Sequence, residues 1–478
     1  MKKIFLALFT IGLFTTGCTD KFDEINENPN APEDVRPQFL LANVISVAAD
    51  KNTFDQGFRL ANYLEHFAAS VEFERIDRYE MGSNSTYWNT LYHLQTDIRS
   101  IKENENSNEA YVAVCDIMSS FMYSQLTDMW GNVPYSEAIG AIDGNITPKY
   151  DTQQFIYTDP DLGILAVLQN AAMTLNETSA TIDGDVMFGN DLDQWIRFAN
   201  SLRVRYLLRI SGRVDVSGQL QTLVSEDRLM RGNMDNAVVP YLSSAPNQWP
   251  MFNSSLGLYQ EHRMTTTVDS ILSAWEDPRV DVLYKPTSNS VLEGNPVFNG
   301  ILNGQSRETI AASGIDLSDV SLFGAIFRDV PGGVDGQFMQ YAELQFALAE
   351  ACERGILGGD ALTYYQNGIS ASFEYYNTSL PGDYFTRENV ALDGTNNLTK
   401  IMTQKWLSLI SNGHEAWFNI RRTGIPALVA GPDNLNNGMY PVRYLYPEGE
   451  QATNAANYAE AAGAMGGDDI NSKGWWEQ

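Results

Sequence analysis

Apolar residues recur at three- and four-residue spacing along most of the chain, and this helical period constrains the fold more than any other feature. Residues 191–212 show the pattern most clearly, because their large apolar side chains fall on one face and Gly212 follows as a stop signal. The same spacing predicts helices over 37–50, 86–104, 108–131, 337–355, 361–377 and 397–413. The sequence therefore predicts a mainly α-helical protein.

Two pairs of predicted helices are joined by short connections, namely 86–104 with 108–131 and 337–355 with 361–377. Helices connected in this way pack as antiparallel hairpins, and recurring hairpins favour a scaffold of tetratricopeptide type. The individual repeats do not follow the tetratricopeptide consensus closely. The alanine-rich stretch 342–351 allows the close helix packing that such arrays require.

Residues 233–335 differ from the rest of the chain. They are rich in Gly, Asn, Ser and Pro, and the periodicity predicts one helix among them, over 265–279. Long irregular segments in compact proteins are usually functional or disordered, and the aromatic residues of this segment argue against disorder. No linker or charge run divides the chain, so we expect a single domain over 37–478 whose loop-rich, short-strand insertion (233–335) forms the ligand surface.

The first eighteen residues read as a secretory signal. Lys2 and Lys3 precede an apolar segment, 4–14, that is too short for a permanent membrane span. The following "TTGC" resembles a lipobox, which predicts a signal peptide over 1–17, lipidation of Cys18 and a flexible tether over 18–36. The alternative is ordinary cleavage that leaves a free cysteine nearby. The acids that follow Cys18 resemble the surface-export signal of lipoproteins in Bacteroidetes-type envelopes.

Charge and composition exclude several classes of ligand. The formal net charge is −29, and loss of Lys2 and Lys3 makes the mature chain still more acidic. Such a surface repels nucleic acid and anionic lipid, and it disfavours anionic polysaccharides unless a local basic patch compensates. The four histidines lack the i, i+4 spacing of a metal motif, so no metal or cofactor is expected. Cys115 and Cys352 lie in apolar helical segments and are expected to be buried free thiols.

An ordered series of phrases resembles the SusD/RagB family of outer-membrane nutrient-binding lipoproteins. They are "LTDMWGNVPYSEA" (126–138), "WEDPRV" (275–280), "QKWLSLISNGHEAWFNIRRTGIP" (404–426), "YPVRYLYPEGEQATNAANYAEA" (440–461) and "GGDDINSKGWWEQ" (466–478). The resemblance implies a tetratricopeptide-like helical scaffold, a loop-rich ligand surface and a partner, a TonB-dependent SusC/RagA-like transporter. Family members bind glycans in some branches and peptides in others.

A sugar-binding site should combine an aromatic plane with amides and carboxylates on loops. Two segments fit, 80–93 and 243–263, although aromatic residues are more often part of the core. In glycan-binding relatives an aromatic near the start of the first helix contributes to the site, and the resemblance transfers this role to Trp88. The predicted ligand-binding residues are Tyr87, Trp88, Asn247, Gln248, Trp249, Asn253 and Tyr259.

The segment "GHEAWFNIRRTG" carries two arginines that could grip an anionic substrate. Its other residues are largely apolar, so we expect Arg421 and Arg422 instead to pair with acids such as Glu415 and to hold the C-terminal segment on the scaffold. Trp475 or Trp476 is expected to anchor the C-terminus by burial.

The sequence lacks a nucleophile elbow, a phosphate-binding Gly-Lys loop and a His-Glu metal motif, so catalysis is not expected. The expected function is a surface-exposed outer-membrane lipoprotein that binds oligosaccharides and delivers them to a TonB-dependent transporter. Two alternatives remain open at this point: a peptide-binding carrier of the same transport system, and a helical-repeat scaffold protein.

Overall fold

The structure, a computed structural model, describes residues 35–252 and 256–478. The helices up to residue 225 are α1 (Pro37–Asp50), α2 (Asn62–Leu64), α3 (Ser85–Glu103), α4 (Glu109–Trp130), α5 (Gln153–Thr158), α6 (Ile164–Glu177), α7 (Leu192–Ile210) and α8 (Ser217–Ser225). The later helices are α9 (Leu256–Glu261), α10 (Thr266–Trp275), α11 (Val280–Leu283), α12 (Ser288–Leu292), α13 (Arg307–Ser313), α14 (Tyr341–Glu353), α15 (Ala361–Tyr375), α16 (Asn397–Ser408), α17 (Glu415–Thr423), α18 (Glu448–Thr453) and α19 (Ala455–Ala464). The expected mainly α-helical class is confirmed.

Both predicted hairpins are present, since α3 packs on α4 and α14 packs on α15. The helix ends follow from local chemistry: the Asn108 side chain accepts hydrogen bonds from the first N–H groups of α4, and Gly131, at φ +85°, ends that helix. The side chain of Asp191 caps α7 in the same way. Helix α6, which the periodicity did not predict, fills the space between α4 and α7. The hairpins and α6 together form the helical scaffold.

The helix predicted over 37–50 is confirmed, since α1 spans Pro37–Asp50. It is followed from Lys51 to Ala61 by a π-helix, which the periodicity did not predict and in which the N–H of Asn62 donates to the carbonyl of Gly57. Other helix boundaries differ from those predicted. The helix predicted from 337 begins instead at Tyr341, because residues 336–339 form a strand. That strand pairs with residues 237–239, and pairing between distant segments has no signature in helical periodicity.

The strands are short and antiparallel. They are β1 (Ala68–Ser70), β2 (Val133–Pro134), β3 (Tyr150–Asp151), β4 (Ala237–Val239), β5 (His262–Met264) and β6 (Gly336–Met339). β1 pairs with β5, β2 with β3 and β4 with β6. The 233–335 region is indeed loop-rich with short strands, but it holds α9 to α13 where one helix was expected. The β1–β5 and β4–β6 pairs join this region to the helical scaffold.

The C-terminus is anchored as expected. The indole N–H of Trp476, which is buried, donates to Oδ1 of Asp128 at 2.8 Å, whereas Trp475 is half-buried. Arg421 forms a bidentate pair with Glu477 and thereby ties α17 to the last residues of the chain. Arg422 pairs with Glu350, so both arginines are held by acids, although by acids other than Glu415.

Cys115 is buried, Cys352 is half-buried, and both thiols are free. Within 35–252 and 256–478, no helix combines the length and apolar character that a bilayer crossing requires. Four predicted features lie outside the described residues: the signal peptide, the lipidation of Cys18, nearly all of the tether and the ligand-binding residue Asn253.

Candidate ligand-binding site

A cavity of about 660 Å³ lies between the start of the π-helix and the loop that follows β4. One wall is formed by the end of α1 and the residues after it, including Val47, Asp50 and Lys51. The other wall is the segment 239–250, and Gly336 of β6 closes the base. Cavities of this size are typical of small-molecule sites, and π-helical turns are often found at functional sites. We call this the Tyr241 cavity.

The segment 239–250 is shaped by its own hydrogen bonds. The N–H of Leu242 donates to the carbonyl of Asn247 at 2.6 Å, which folds the loop into a narrow turn. The side-chain amide of Gln248 donates to the carbonyl of Ser243 at 2.8 Å. Asn247 is exposed, Gln248 is half-buried, and both line the cavity. Two of the predicted ligand residues are therefore brought together at one site.

Tyr241 supplies the aromatic surface of the cavity. Its hydroxyl donates to Oδ1 of Asp50 at 2.9 Å, which fixes the half-buried ring against α1. Burial raises the pKa of the Asp50 carboxyl, although the Tyr241 hydrogen bond and Lys51 oppose this shift. At the rim, Leu242 and Val186 are 52% and 41% exposed. The cavity thus combines an aromatic ring, amides, a carboxylate and apolar edges.

Trp249, predicted as the exposed platform, is 1% exposed. Its indole N–H donates to the carbonyl of Phe327 at 2.9 Å, and its ring packs edge-to-face on Phe54 and Phe58. It also contacts Tyr241, with ring centroids 5.2 Å apart. In this structure Trp249 supports Tyr241 from behind and offers no free face. Its participation in ligand binding stays a prediction.

Two glycines, Gly333 and Gly336, allow the close packing behind and beneath the Tyr241 cavity. Gly333 has φ +56°, and a Cβ there would lie 2.3 Å from Cγ of Trp249. At Gly336 a Cβ would lie 2.9 Å from Cβ of Ala49. The indole therefore packs directly on the backbone at Gly333, and β6 approaches α1 closely enough to form the base of the cavity.

The other predicted residues lie elsewhere. Trp88 and Tyr87 are buried, at 3% and 1% exposure, and Trp88 lines a separate cavity of about 200 Å³ together with Tyr92 and Glu450. Tyr259 is buried, and its hydroxyl donates to the carbonyl of Phe323. These three residues do not share a cavity with Asn247 and Gln248, and their roles as ligand contacts stay predictions.

A second aromatic surface lies on the loop between β1 and residue 76. Phe73 is 70% exposed, and Phe39 is the other aromatic side chain with such exposure in the described ranges. The loop is built around the buried Glu261, whose Oε1 accepts from the backbone N–H groups of Glu72, Phe73 and Glu74. Successive N–H groups that converge on one carboxylate fix the loop conformation, so the ring is held outward.

Charged side chains surround Phe73. Glu72 pairs with Arg307 at 3.1 Å, and Arg75 pairs with Glu80. An exposed ring bordered by carboxylates and guanidinium groups can stack on the C–H face of a sugar while its neighbours bind hydroxyls. Neither Phe73 nor Tyr241 was among the predicted residues. The sequence patterns that could have indicated them are "VEFER", where Phe73 lies between two acids, and "PYLSSAP", where Tyr241 lies between two prolines.

The fold defines a helical-scaffold protein with two candidate ligand surfaces, and comparisons identify its family. A family model described as "Starch-binding associating with outer membrane" matches residues 29–447. The chain belongs to this SusD-like family. A comparison with curated proteins finds no match.

Solved structures share the fold over nearly the whole chain. An outer-membrane protein from Bacteroides vulgatus, described as probably involved in nutrient binding, has a TM-score of 0.83 at 25% identity and covers 93% of this chain and 100% of its own. A SusD homologue from Bacteroides fragilis has a TM-score of 0.79 at 24% identity, with the same coverage. A chitin-binding SusD homologue from Flavobacterium johnsoniae has a TM-score of 0.76 at 23% identity and covers 92% of this chain and 98% of its own.

Proposed function

We propose that this protein binds oligosaccharides at the outer membrane and passes them to a TonB-dependent transporter, without catalysing a reaction. The observation that carries the proposal is the Tyr241 cavity, where an aromatic ring, Asn247, Gln248 and Asp50 converge at a site of ligand size. The starch-binding description of the family and the chitin-binding relative support a glycan as the ligand.

The chemistry of the cavity suits a neutral sugar. Asp50 accepts hydrogen bonds, the amides of Asn247 and Gln248 both donate and accept, and Tyr241 offers an apolar face. Hydroxyl groups need this mixture of donors and acceptors, whereas the C–H face of a sugar ring needs an aromatic plane. Phe73 offers a second plane, which an oligosaccharide could use in addition to the cavity.

Isothermal titration calorimetry tests the proposal. The purified mature protein is titrated with starch-derived and chitin-derived oligosaccharides, and we expect binding to at least one series. Tyr241→Ala should weaken binding at least tenfold, whereas Tyr241→Phe, which keeps the ring, should weaken it less. Phe73→Ala reports separately on the second surface.

Tyr364→Ala is the matched control, because Tyr364 is a half-buried tyrosine on α15 that does not line the cavity. It should leave the titration unchanged. Full binding by both Tyr241→Ala and Phe73→Ala would remove these surfaces from the proposal. Binding of peptides in place of every glycan would favour the peptide carrier.

Delivery to a transporter requires that the protein be held at the membrane. We propose that lipidated Cys18 supplies the anchor and that the segment from 18 to 36 gives the domain its reach. Co-purification of the tagged full-length protein with a large outer-membrane barrel, after mild detergent extraction, is the expected result. Recovery of the protein without any barrel would argue for a scaffold that acts alone.

A further inference from the structure

A second cavity, of about 640 Å³, lies in the helical scaffold between α6, α7 and α8. It shares no lining residue with the Tyr241 cavity. Its walls are mainly polar, with Gln169 and Asn176 from α6, Asn200 and Arg203 from α7, and Thr222 from α8. A packed helical interface normally buries apolar side chains, so a polar cavity of this size calls for an explanation.

The central feature of this cavity is Arg203, whose side chain forms no hydrogen bond or ion pair with an acid among the described residues. Two of its N–H groups donate to amide oxygens, Nη1 to Asn200 at 3.2 Å and Nη2 to Gln169 at 2.9 Å. Nε has no partner among the described residues, although Arg203 is only 9% exposed. A guanidinium carries five N–H donors, so the cavity holds a largely buried cation with unused donors.

Other buried arginines on the same helix differ. Arg205 pairs with Glu343 and Arg209 pairs with Glu415, each through short hydrogen bonds to carboxylate oxygens. Burial lowers the pKa of Arg203, and Glu226, an exposed acid that also lines the cavity, opposes this shift. Buried charges are normally paired, so the missing partner of Arg203 is expected to be an anion from outside the chain.

We propose that this cavity binds a sugar acid, with its carboxylate on Arg203 and its hydroxyl groups on the surrounding amides and acids. Arg203 supplies the planar donor pair that matches a carboxylate. Glu177 and Glu226, both exposed at the cavity, would repel a bare anion but accept hydrogen bonds from hydroxyl groups. A carboxylate that carries several hydroxyls satisfies both requirements. Arg228 also lines the cavity, but its guanidinium is paired with Asp193 at 3.0 Å, which leaves Arg203 as the cation available to the ligand.

The inference does not depend on the proposed oligosaccharide function, because it concerns a separate cavity and a separate ligand class. The test is titration of the mature protein with glucuronate, glucose and N-acetylglycine, followed by calorimetry or ligand-observed NMR. We expect glucuronate to bind at least tenfold more tightly than glucose, which lacks the carboxylate, and than N-acetylglycine, which lacks the hydroxyls.

Two variants locate the binding. Arg203→Gln keeps a polar side chain but removes the cation, and it should weaken glucuronate binding at least tenfold. Met173→Trp narrows the cavity at a side chain that is 52% exposed, so it should block binding without disturbing the fold. Arg213→Gln, at an exposed arginine outside the cavity, is the matched control and should bind as the wild type does.

Equal affinity for glucuronate and glucose, or no binding of glucuronate at all, would overturn the inference. Tighter binding of N-acetylglycine would overturn the assignment to a sugar acid. If Arg203→Gln does not fold, as thermal melting would reveal, Met173→Trp still decides the question. Undiminished binding by a folded Met173→Trp protein would place the ligand elsewhere.

Discussion

Arg205 and Glu343, 138 residues apart in the chain, form a buried bidentate ion pair between α7 and α14. The Nε–Oε1 distance is 2.7 Å, the Nη2–Oε2 distance is 2.6 Å, and both side chains are almost completely buried. Arg205 also donates to the carbonyl of Phe338 in β6. The ion pair therefore links α7 to α14, and the hydrogen bond to Phe338 links α7 to β6. The first residue of β6, Gly336, closes the base of the Tyr241 cavity.

Replacing Glu343 by Gln should destabilise the protein strongly. The change removes both short carboxylate hydrogen bonds from the buried guanidinium of Arg205 and leaves Glu415, at 3.9 Å, as its remaining acid. Removing one member of a buried pair typically costs about 3–5 kcal/mol. Urea denaturation, followed by circular dichroism, measures the loss. Glu353→Gln, an exposed acid on the same helix, is the control and should change the free energy of unfolding by less than about 0.5 kcal/mol. Similar stabilities for the two variants would contradict this role of the pair.

Gly333→Ala should disturb the Tyr241 cavity by displacing Trp249, the residue on which Tyr241 packs. A non-glycine residue is strained at φ +56°, and the added Cβ would overlap the Trp249 ring. We expect a loss of about 2 kcal/mol or more in the free energy of unfolding, together with weaker oligosaccharide binding.

The neighbouring Gly332→Ala is a matched control for this change. There the new Cβ lies 3.7 Å from the carbonyl oxygen of Tyr241, an ordinary contact. It should be nearly neutral in urea denaturation and in titration calorimetry. A Gly333→Ala protein as stable as Gly332→Ala would show that Trp249 is not fixed in this position.

Glu350 should contribute to stability in a pH-dependent way. Burial alone raises the pKa of a carboxyl, but the bidentate pair with Arg422 outweighs burial and lowers the pKa of Glu350 to about 2. Because the folded-state pKa lies below the unfolded value of 4.5, the stabilisation is complete above about pH 4.5 and is lost as the pH falls towards 2.

The measurement compares wild type with Glu350→Gln in urea denaturation from pH 6 down to pH 3. The difference in unfolding free energy should be largest near pH 6 and should narrow below pH 4.5. Because one carboxyl group titrates, the difference in unfolding free energy can decrease by at most about 1.4 kcal/mol per pH unit. A difference that stays constant over this range would show that Glu350 is not held ionised by Arg422.

Helical periodicity predicted much of the scaffold because it is a local property of the sequence. The helices at 85–103, 109–130, 192–210 and 361–375 lie within about two residues of the expected bounds. The same reasoning missed β6, whose conformation depends on a partner strand about a hundred residues away. Local patterns therefore predicted elements and hairpins, but not pairings between distant segments.

The candidate site shows the same limit. The loop with Asn247 and Gln248 was predicted from its composition, and both residues do line the cavity. The sequence did not predict which aromatic side chain is exposed. Trp249 is buried because it packs on Phe54 and Phe58 and donates a hydrogen bond to the carbonyl of Phe327, and all three residues are distant in the chain. Likewise, the sequence does not distinguish Arg203 from Arg205, since only the packed helices decide which arginine meets a carboxylate.

The membrane anchor can be tested independently of the ligand. Metabolic labelling with a fatty-acid probe should mark the wild-type protein, because a lipidated Cys18 would carry acyl chains that each contribute about 0.8 kcal/mol per buried methylene to membrane binding. Cys18→Ala should remain unlabelled and leave the membrane fraction. Cys115→Ala is the matched control: its thiol is buried in α4, so the variant should be labelled and anchored like the wild type. An unlabelled wild type, or a Cys18→Ala protein that fractionates with the membrane as the wild type does, would contradict the lipid anchor and remove the physical basis for delivery at the outer membrane.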